Sequence, residues 1–312
     1  MDDQLDKRLK EISNNRQFQS IIIFSDVDGT LVDHSTYSPD RSLEAVRKLQ
    51  QTGIRLVLCS SKTSSELKNL QSILGIEDQP FIAENGAVLY VPVKDVRDPS
   101  TDTVLSDYSV DTIERSGEPV YRVVLGDVRG VLLEKIRLTE KETGVCLTTY
   151  DDLTNDQVAK ETGLGLADAV MAKRRQASQT IVAPLSPLDL KVVSTSLAVS
   201  GVHIETGGRF HSASSIHLSK GRAMRLLLRI LNRGTSADTG SHLSVALGDA
   251  PNDFSMLGCA DLSFLVKQHS GAWAPGAGEV DKLILVDGIG PEGWSMAITS
   301  LLGRIQQCPD LK

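Results

Sequence analysis

Ile21-Ile22-Ile23-Phe24-Ser25-Asp26-Val27-Asp28-Gly29-Thr30-Leu31 runs from four apolar residues into two aspartates two positions apart, then a glycine and a threonine. An unbroken β-branched and aromatic run that stops at a polar turn is the pattern of a buried parallel strand. Ligands of such sheets sit just beyond the carboxyl ends of the strands. Asp26 and Asp28 therefore stand at the mouth of a site, on one side of an extended segment. Two carboxylates this close repel unless a cation or a shared proton intervenes, and a hard, oxygen-seeking ion such as Mg²⁺ is the simplest answer. Taken alone, the stretch also fits a strand closed by a solvated Asp-Gly turn.

Working outward, the pattern repeats. Ser38-Pro39 is expected to open a helix with Leu43, Val46 and Leu49 inward and Gly53 as its stop. Ile54 to Cys59 is a second strand, ending in Ser60-Ser61-Lys62-Thr63. Strand, helix, strand with short links makes a right-handed βαβ unit, so this end lies at the same sheet edge as Asp26. Thr63 and Glu66 form a capping box for a helix carrying Leu67, Leu70 and Leu74. Phe81 to Ala83 is a third strand, and Glu84-Asn85-Gly86 turns it into Val88-Leu89-Tyr90 as a tight hairpin. Lys220 opens an apolar helix, and Val245-Ala246-Leu247 is a buried strand ending in Gly248-Asp249-Ala250-Pro251-Asn252-Asp253.

Between these halves the texture changes. Lys94 to Ser109 is rich in Asp, Ser, Thr and Pro, and the strands and helices that follow, from Val120 to Glu205, form a self-contained α+β unit. The expected organisation is a core of 1–92 and 213–312 with residues 93–212 inserted. Residues 1–19 read as a polar, partly helical lead-in whose packing face the sequence does not identify.

Composition narrows the classes. The chain has 312 residues, 40% of them hydrophobic and 23% charged, as in an ordinary soluble protein. Its net charge of −7 argues against a nucleic-acid surface. Nothing approaches eighteen unbroken apolar residues, and the acidic N-terminus is wrong for a secretory signal, so a cytoplasmic protein with no membrane contact and no obligate protein partner is expected. Cys59, Cys146, Cys259 and Cys308 lack metal-ligand spacing and suit reduced thiols. An acidic protein acting on an anionic substrate must also concentrate positive charge at its site.

Four polar clusters at strand or helix ends, in the order Asp26-Val27-Asp28-Gly29-Thr30, Ser60, Lys220-Gly221 and Gly248-Asp249-x-x-Asn252-Asp253, resemble the motifs of haloacid-dehalogenase-like phosphohydrolases. The resemblance implies an α/β fold: a Rossmann-like parallel-sheet core with an inserted α+β cap that selects the leaving group. It implies Asp26 as nucleophile, Asp28 as general acid and base, and Ser60 and Lys220 on the phosphoryl group. Asp26, Asp28 through its carbonyl, and Asp249 become ligands of Mg²⁺, oriented by Asn252 and Asp253.

The stretches Ser61-Lys62-Thr63, Glu84-Asn85-Gly86-Ala87, Thr162-Gly163-Leu164, Ala172 to Thr180, Gly207-Gly208-Arg209-Phe210-His211 and Gly290-Pro291-Glu292-Gly293-Trp294 are similar to the mannosyl-3-phosphoglycerate phosphatases. That implies a small phosphorylated glycoside as substrate, with Arg175 and Arg209 on the glycerate carboxylate. Ser178, Gln179, Glu84 and Asn85 are then candidates for the sugar or glycerate hydroxyls, Ser61 and Gly86 are further substrate-binding candidates, and Lys62 reads as a rim charge near the phosphate. The chain departs from that pattern at Gln176 and Ala177 and in the Ser212–Ser219 link, which keeps glucosyl-3-phosphoglycerate open. Sucrose- or trehalose-phosphate phosphatases, a phosphomutase and a non-catalytic phosphosugar-binding protein are the rivals. The intact Asp26, Asp28, Lys220 and Asp249 weigh against the last.

Overall fold

The computed structural model describes residues 1–13, 18–96, 104–115, 117–207, 210–232 and 241–307. Its strands are β1 (Phe18–Ser25), β2 (Arg55–Cys59), β3 (Phe81–Ala83), β4 (Val88–Pro92), β5 (Ser109–Arg115), β6 (Glu118–Val124), β7 (Gln179–Ile181), β8 (Val202–Gly207), β9 (Phe210–Ser215), β10 (Ser241–Gly248), β11 (Leu262–Lys267) and β12 (Leu283–Ile289). Its helices are α1 (Asp2–Ser13), α2 (Leu43–Thr52), α3 (Ser64–Leu74), α4 (Arg129–Thr143), α5 (Asn155–Thr162), α6 (Leu166–Ala172), α7 (Pro187–Val199), α8 (Lys220–Asn232), α9 (Phe254–Leu257) and α10 (Gly290–Gln307).

The large sheet has the order β12-β11-β10-β1-β2-β3-β4-β6-β5. It is parallel from β12 to β3, where helices return the chain, and antiparallel from β3 onward, where hairpins do. β1 sits at the centre of the parallel part, and Ile21, Ile22, Ile23 and Phe24 are buried on both faces. A strand covered by helices on both sides needs no polar face, so its sequence reads as a continuous apolar run. β10 and β2 flank it, and the ends of all three strands open at one edge.

A smaller antiparallel sheet, β7-β9-β8, packs one face on α4 and α7 around Leu132, Ile136, Ile181, Val193, Leu197, Val202 and Ala213. Tyr150, Val158, Ala169 and Ala172 form a third cluster under α5 and α6.

Three expectations change. β5 and β6, read with the insertion, extend the large sheet, β6 hydrogen-bonding onto β4 and β5 onto β6, so the separate sheet begins only after Val124. The helix expected from Ser38-Pro39 starts at Leu43, because Ser42 uses its hydroxyl on the carbonyls of Leu31 and Pro39 and holds the preceding turn. The lead-in does have a packing face: α1 buries Leu5 and Leu9 in the main core, while Arg304 on α10 pairs with Asp6 at 2.6 Å. The capping box of Thr63 and Glu66 and the left-handed stop at Gly53 are present.

Leu5→Ala is accordingly expected to lower stability by about 2–4 kcal/mol, as large-to-small core changes do. Denaturant unfolding checks this, and a loss under about 0.5 kcal/mol, typical of surface positions, would remove α1 from the core.

Candidate active site

The strand ends bring together groups far apart in sequence. Asp26 follows β1, Asp249 and Asp253 follow β10, and Lys220 is the first residue of α8. All four are nearly sealed from solvent, at 6, 6, 0 and 1% exposure respectively. The Lys220 ammonium lies between two carboxylates, donating to Asp26 Oδ1 at 2.5 Å and to Asp253 Oδ1 at 2.6 Å. The other oxygen of Asp253 accepts the backbone N–H groups of Asp249 and Ala250, both at 3.0 Å. Thr30 Oγ1 donates to Asp249 Oδ1 at 2.9 Å. Gly29 lets this turn close: it adopts φ +80°, and a methyl group there would lie 2.9 Å from Asp249 Oδ2.

Three carboxylates face one ammonium, so the cluster is short of positive charge. Burial, with Asp253 next, pushes the Asp26 pKa well above the usual carboxylate range, against the pull of Lys220. Burial and Asp253 likewise push Asp249 up to about 7. Burial works against the Lys220 charge, but Asp253 and Asp26 outweigh it and raise its pKa. One oxygen each of Asp26, Asp249 and Asp253 lie within 4.8 Å of one another. A hard divalent cation fits this all-oxygen set and supplies the missing charge. Asp253 already spends both oxygens on Lys220 and backbone, which leaves Asp26 and Asp249 as the side chains free to ligate.

Asp28 pairs with a different lysine. Its Oδ1 lies 3.0 Å from Lys62 Nζ, and its carboxylate is partly open to solvent. Lys62 also lies 3.9 Å from Glu66 and 4.7 Å above the Tyr37 ring. Burial opposes the Lys62 charge, yet Asp28 and Glu66 raise its pKa on balance. Ser60 Oγ accepts the Lys62 N–H at 3.2 Å, fixing the turn after β2.

The turn after β3 joins the two sheets. Glu84, only 2% exposed, accepts the N–H groups of Gln176 and Ala177 at 2.8 and 3.1 Å and the Ser178 hydroxyl at 2.6 Å. Asn85 Nδ2 donates to Glu205 on β8 at 2.8 Å. Tyr90 donates to Gln176 at 2.8 Å, and Thr63 to the Met171 carbonyl at 2.9 Å. Glu84 and Asn85 both hold left-handed φ angles, 54° and 55°, as does Tyr37 at 56°. The turn is therefore a short 3₁₀ segment and not a two-residue Asn-Gly hairpin. Such strain persists where surroundings over-determine it, and it gathers at functional sites.

Arg175 reaches this seam, with Nη1 2.9 Å from Ser178 Oγ and 3.3 Å from the Ser61 carbonyl. Its Nε is buried without a hydrogen-bond partner.

The structure thus gathers Asp26, Asp28, Ser60, Ser61, Lys62, Lys220, Asp249 and Asp253 at one edge, with Glu84, Gly86, Asn85, Arg175 and Ser178 along the seam above. It does not bring in Gln179, whose buried amide donates to Asp151 at 2.5 Å inside the smaller unit. Asn252 is exposed. Glu84 has both oxygens engaged by the chain and none to offer a hydroxyl. Arg209 lies outside the described residues. Tyr37 and Thr30 stand beside these groups without being expected there. Tyr37 carried no signal, being one aromatic in a polar loop; Thr30 was read only as part of a turn.

A family described as haloacid dehalogenase-like hydrolase matches residues 23–272, and the chain belongs to that family. A glucosyl-3-phosphoglycerate/mannosyl-3-phosphoglycerate phosphatase of Methanococcoides burtonii is 33% identical over 290 residues, spanning 91% of this chain and 97% of its own. A protein of the same name from Persephonella marina is 29% identical over 295 residues, spanning 92% and 99%. Among solved structures, a Thermoplasma acidophilum protein superposes with a TM-score of 0.59 at 16% identity, covering 93% of this chain and 99% of that one. A sugar phosphatase of haloacid-dehalogenase subclass IIB does so at 0.58 and 15%, covering 90% and 99%. At such identities the superpositions speak to fold alone.

Glu84→Gln is expected to weaken the seam by about 1–3 kcal/mol, because it turns an amide N–H toward N–H donors. Limited proteolysis of residues 174–179 checks this, and unchanged protection would show that the carboxylate does not hold the segment.

Proposed function

We propose that this phosphoric monoester hydrolase releases phosphate from a glycosyl-3-phosphoglycerate, mannosyl or glucosyl, with Asp26 as nucleophile. The observation that carries the reading is the sealed Asp26–Lys220–Asp253 cluster at the strand edge, with Asp249 beside it. A surface loop has no use for so much buried charge, whereas a phosphoryl-transfer site does.

Asp26 attacks phosphorus in line, forming an aspartyl-phosphate as the ester P–O bond breaks. Asp28 donates its proton to the departing oxygen. In the second half Asp28 takes the proton from water, which attacks the same phosphorus, frees phosphate and restores the Asp26 carboxylate. Lys220 holds Asp26 in place and sets positive charge beside the phosphoryl oxygens. The Ser60 hydroxyl and Lys62 contact those oxygens from the neighbouring strand end. Mg²⁺, held by Asp26, Asp249 and the Asp28 carbonyl, would offset charge on the attacking carboxylate and the phosphoryl group. Asp253, through its hold on the 249–250 backbone and Lys220, orients that set.

Arg175 favours a leaving group with a second anion. No carboxylate among the described residues pairs with it, and its buried Nε awaits a partner. A glycerate carboxylate suits a guanidinium, which binds it bidentately. The relatives' printed names, which couple both sugars to phosphoglycerate, support this substrate class. We take the unit from about residue 126 to 217 as the lid over the leaving group, in place of the expected 93–212, because β5 and β6 sit on the large sheet and β9 of the small sheet runs to Ser215.

Asp26→Asn is expected to abolish phosphate release with the fold intact by circular dichroism, and excess chelator to do the same to the wild type. Turnover near wild type in either case contradicts the assigned role. Arg175→Ala is expected to cut kcat/KM for glycosyl-phosphoglycerates by about 100-fold, on the order of 3 kcal/mol for a charged hydrogen-bonded contact. It should cost p-nitrophenyl phosphate far less, and equal losses on both esters would remove Arg175 from substrate recognition.

A further inference from the structure

Gly290-Pro291-Glu292-Gly293-Trp294 opens α10 and has no part in the chemistry above. Its tryptophan nevertheless reaches the backbone of the nucleophile. Trp294 is fully buried, and its indole N–H donates to Ser25 Oγ at 2.9 Å. Ser25, equally buried, donates in turn to the carbonyl oxygen of Asp26 at 2.7 Å. The direction of this relay is forced. An indole N–H only donates and a carbonyl only accepts, so the hydroxyl between them must accept from one and donate to the other.

The surrounding backbone presses α10 into this place. A methyl group on Gly293 would lie 2.4 Å from the Gly288 carbonyl oxygen, so only glycine permits the turn from β12 into the helix. A methyl group on Gly290 would lie 3.2 Å from the Gly29 carbonyl, which puts the helix start against the Asp28–Gly29 turn. The Asp26 N–H is held from the opposite side by the Leu247 carbonyl at 2.9 Å. Both peptide groups of Asp26 are thus tied: one to β10, the other to α10 through Ser25.

We propose that Trp294, acting through Ser25, is a positioning residue that fixes the backbone of Asp26 for in-line attack. The inference rests on Asp26 being the nucleophile. Rotating the peptide plane after Asp26 swings its Cα–Cβ bond, and misplacing a reacting atom by about 1 Å can cost about 100-fold in rate. A lone Ser25 hydroxyl is free to rotate; the indole N–H occupies its lone pair and aims its proton at the carbonyl.

The test compares Ser25→Ala, Trp294→Phe and the double variant in the full chain, with kcat, KM and thermal unfolding measured for each. Ser25→Ala should lower kcat about 10- to 100-fold with KM within about twofold. Trp294→Phe should lower kcat about 3- to 10-fold. The double variant should be about as slow as Ser25→Ala alone, because both changes cut one chain of bonds. Losses that multiply in the double variant, or that vanish when the assay is cooled in step with any fall in Tm, would leave Trp294 as a core side chain only. Should Trp294→Phe fail to fold, Ser25→Ala decides by itself, and a wild-type kcat overturns the proposal. Asp26→Asn, run alongside, separates the two readings. An active Asp26→Asn defeats the nucleophile assignment; an inactive one beside a wild-type Ser25→Ala defeats only the positioning role.

Discussion

The ammonium of Lys220, held between Asp26 and Asp253 where almost no water reaches, is the contact on which the site depends. Burying a charge is costly unless it is paired and hydrogen-bonded, and removing one partner of such a pair costs about 3–5 kcal/mol. The pairing therefore constrains three elements at once: the end of β1, the turn after β10 and the first turn of α8. Each must arrive within a fraction of an ångström, or a charge is stranded. The remaining imbalance, three carboxylates to one ammonium, makes the cluster receptive to a cation. Lys220, Lys62 and Arg175 nevertheless set positive charge at this edge of a chain whose net charge is −7.

A second layer of contacts joins that edge to the smaller unit. Glu84 receives three donors from residues 176–178, and Asn85 reaches Glu205 on β8. These bonds hold an arrangement in which Arg175 stands near Ser61; on the proposed reading, recognition of a leaving group is assembled where the two units meet. Strain at Glu84 and Asn85 fits a turn shaped to make those contacts and not for its own stability.

The strand-end cluster is legible in the sequence because its signals are local. An apolar run followed by Asp-x-Asp-Gly states both burial and edge position within eleven residues, and the same holds for Gly248 to Asp253. What was not legible depends on partners distant in the chain. Glu84 was read as facing a sugar, since nothing near it announces the three donors ninety residues on. Gln179 sits in a three-residue strand, too short for alternation to show that it turns toward Asp151. β5 and β6 follow a polar stretch that resembles a boundary, yet β6 pairs onto β4 and β5 onto β6, a choice made by backbone hydrogen bonding that no local pattern records. Leu5 and Leu9 are two apolar residues in an acidic helix, and only the groove beside α10 makes them core.

The most direct measurement of the central claim is chemical capture of the covalent intermediate. The enzyme is mixed with a glycosyl-3-phosphoglycerate, quenched within one turnover, reduced with borohydride, and its peptides are sequenced by mass spectrometry. An acyl phosphate at the buried strand end is reduced to an alcohol, so the account predicts homoserine in place of aspartate at residue 26 and at no other carboxylate. An unmodified Asp26 in a sample that has released phosphate, or reduction at Asp28, Asp249 or Asp253 instead, would contradict it.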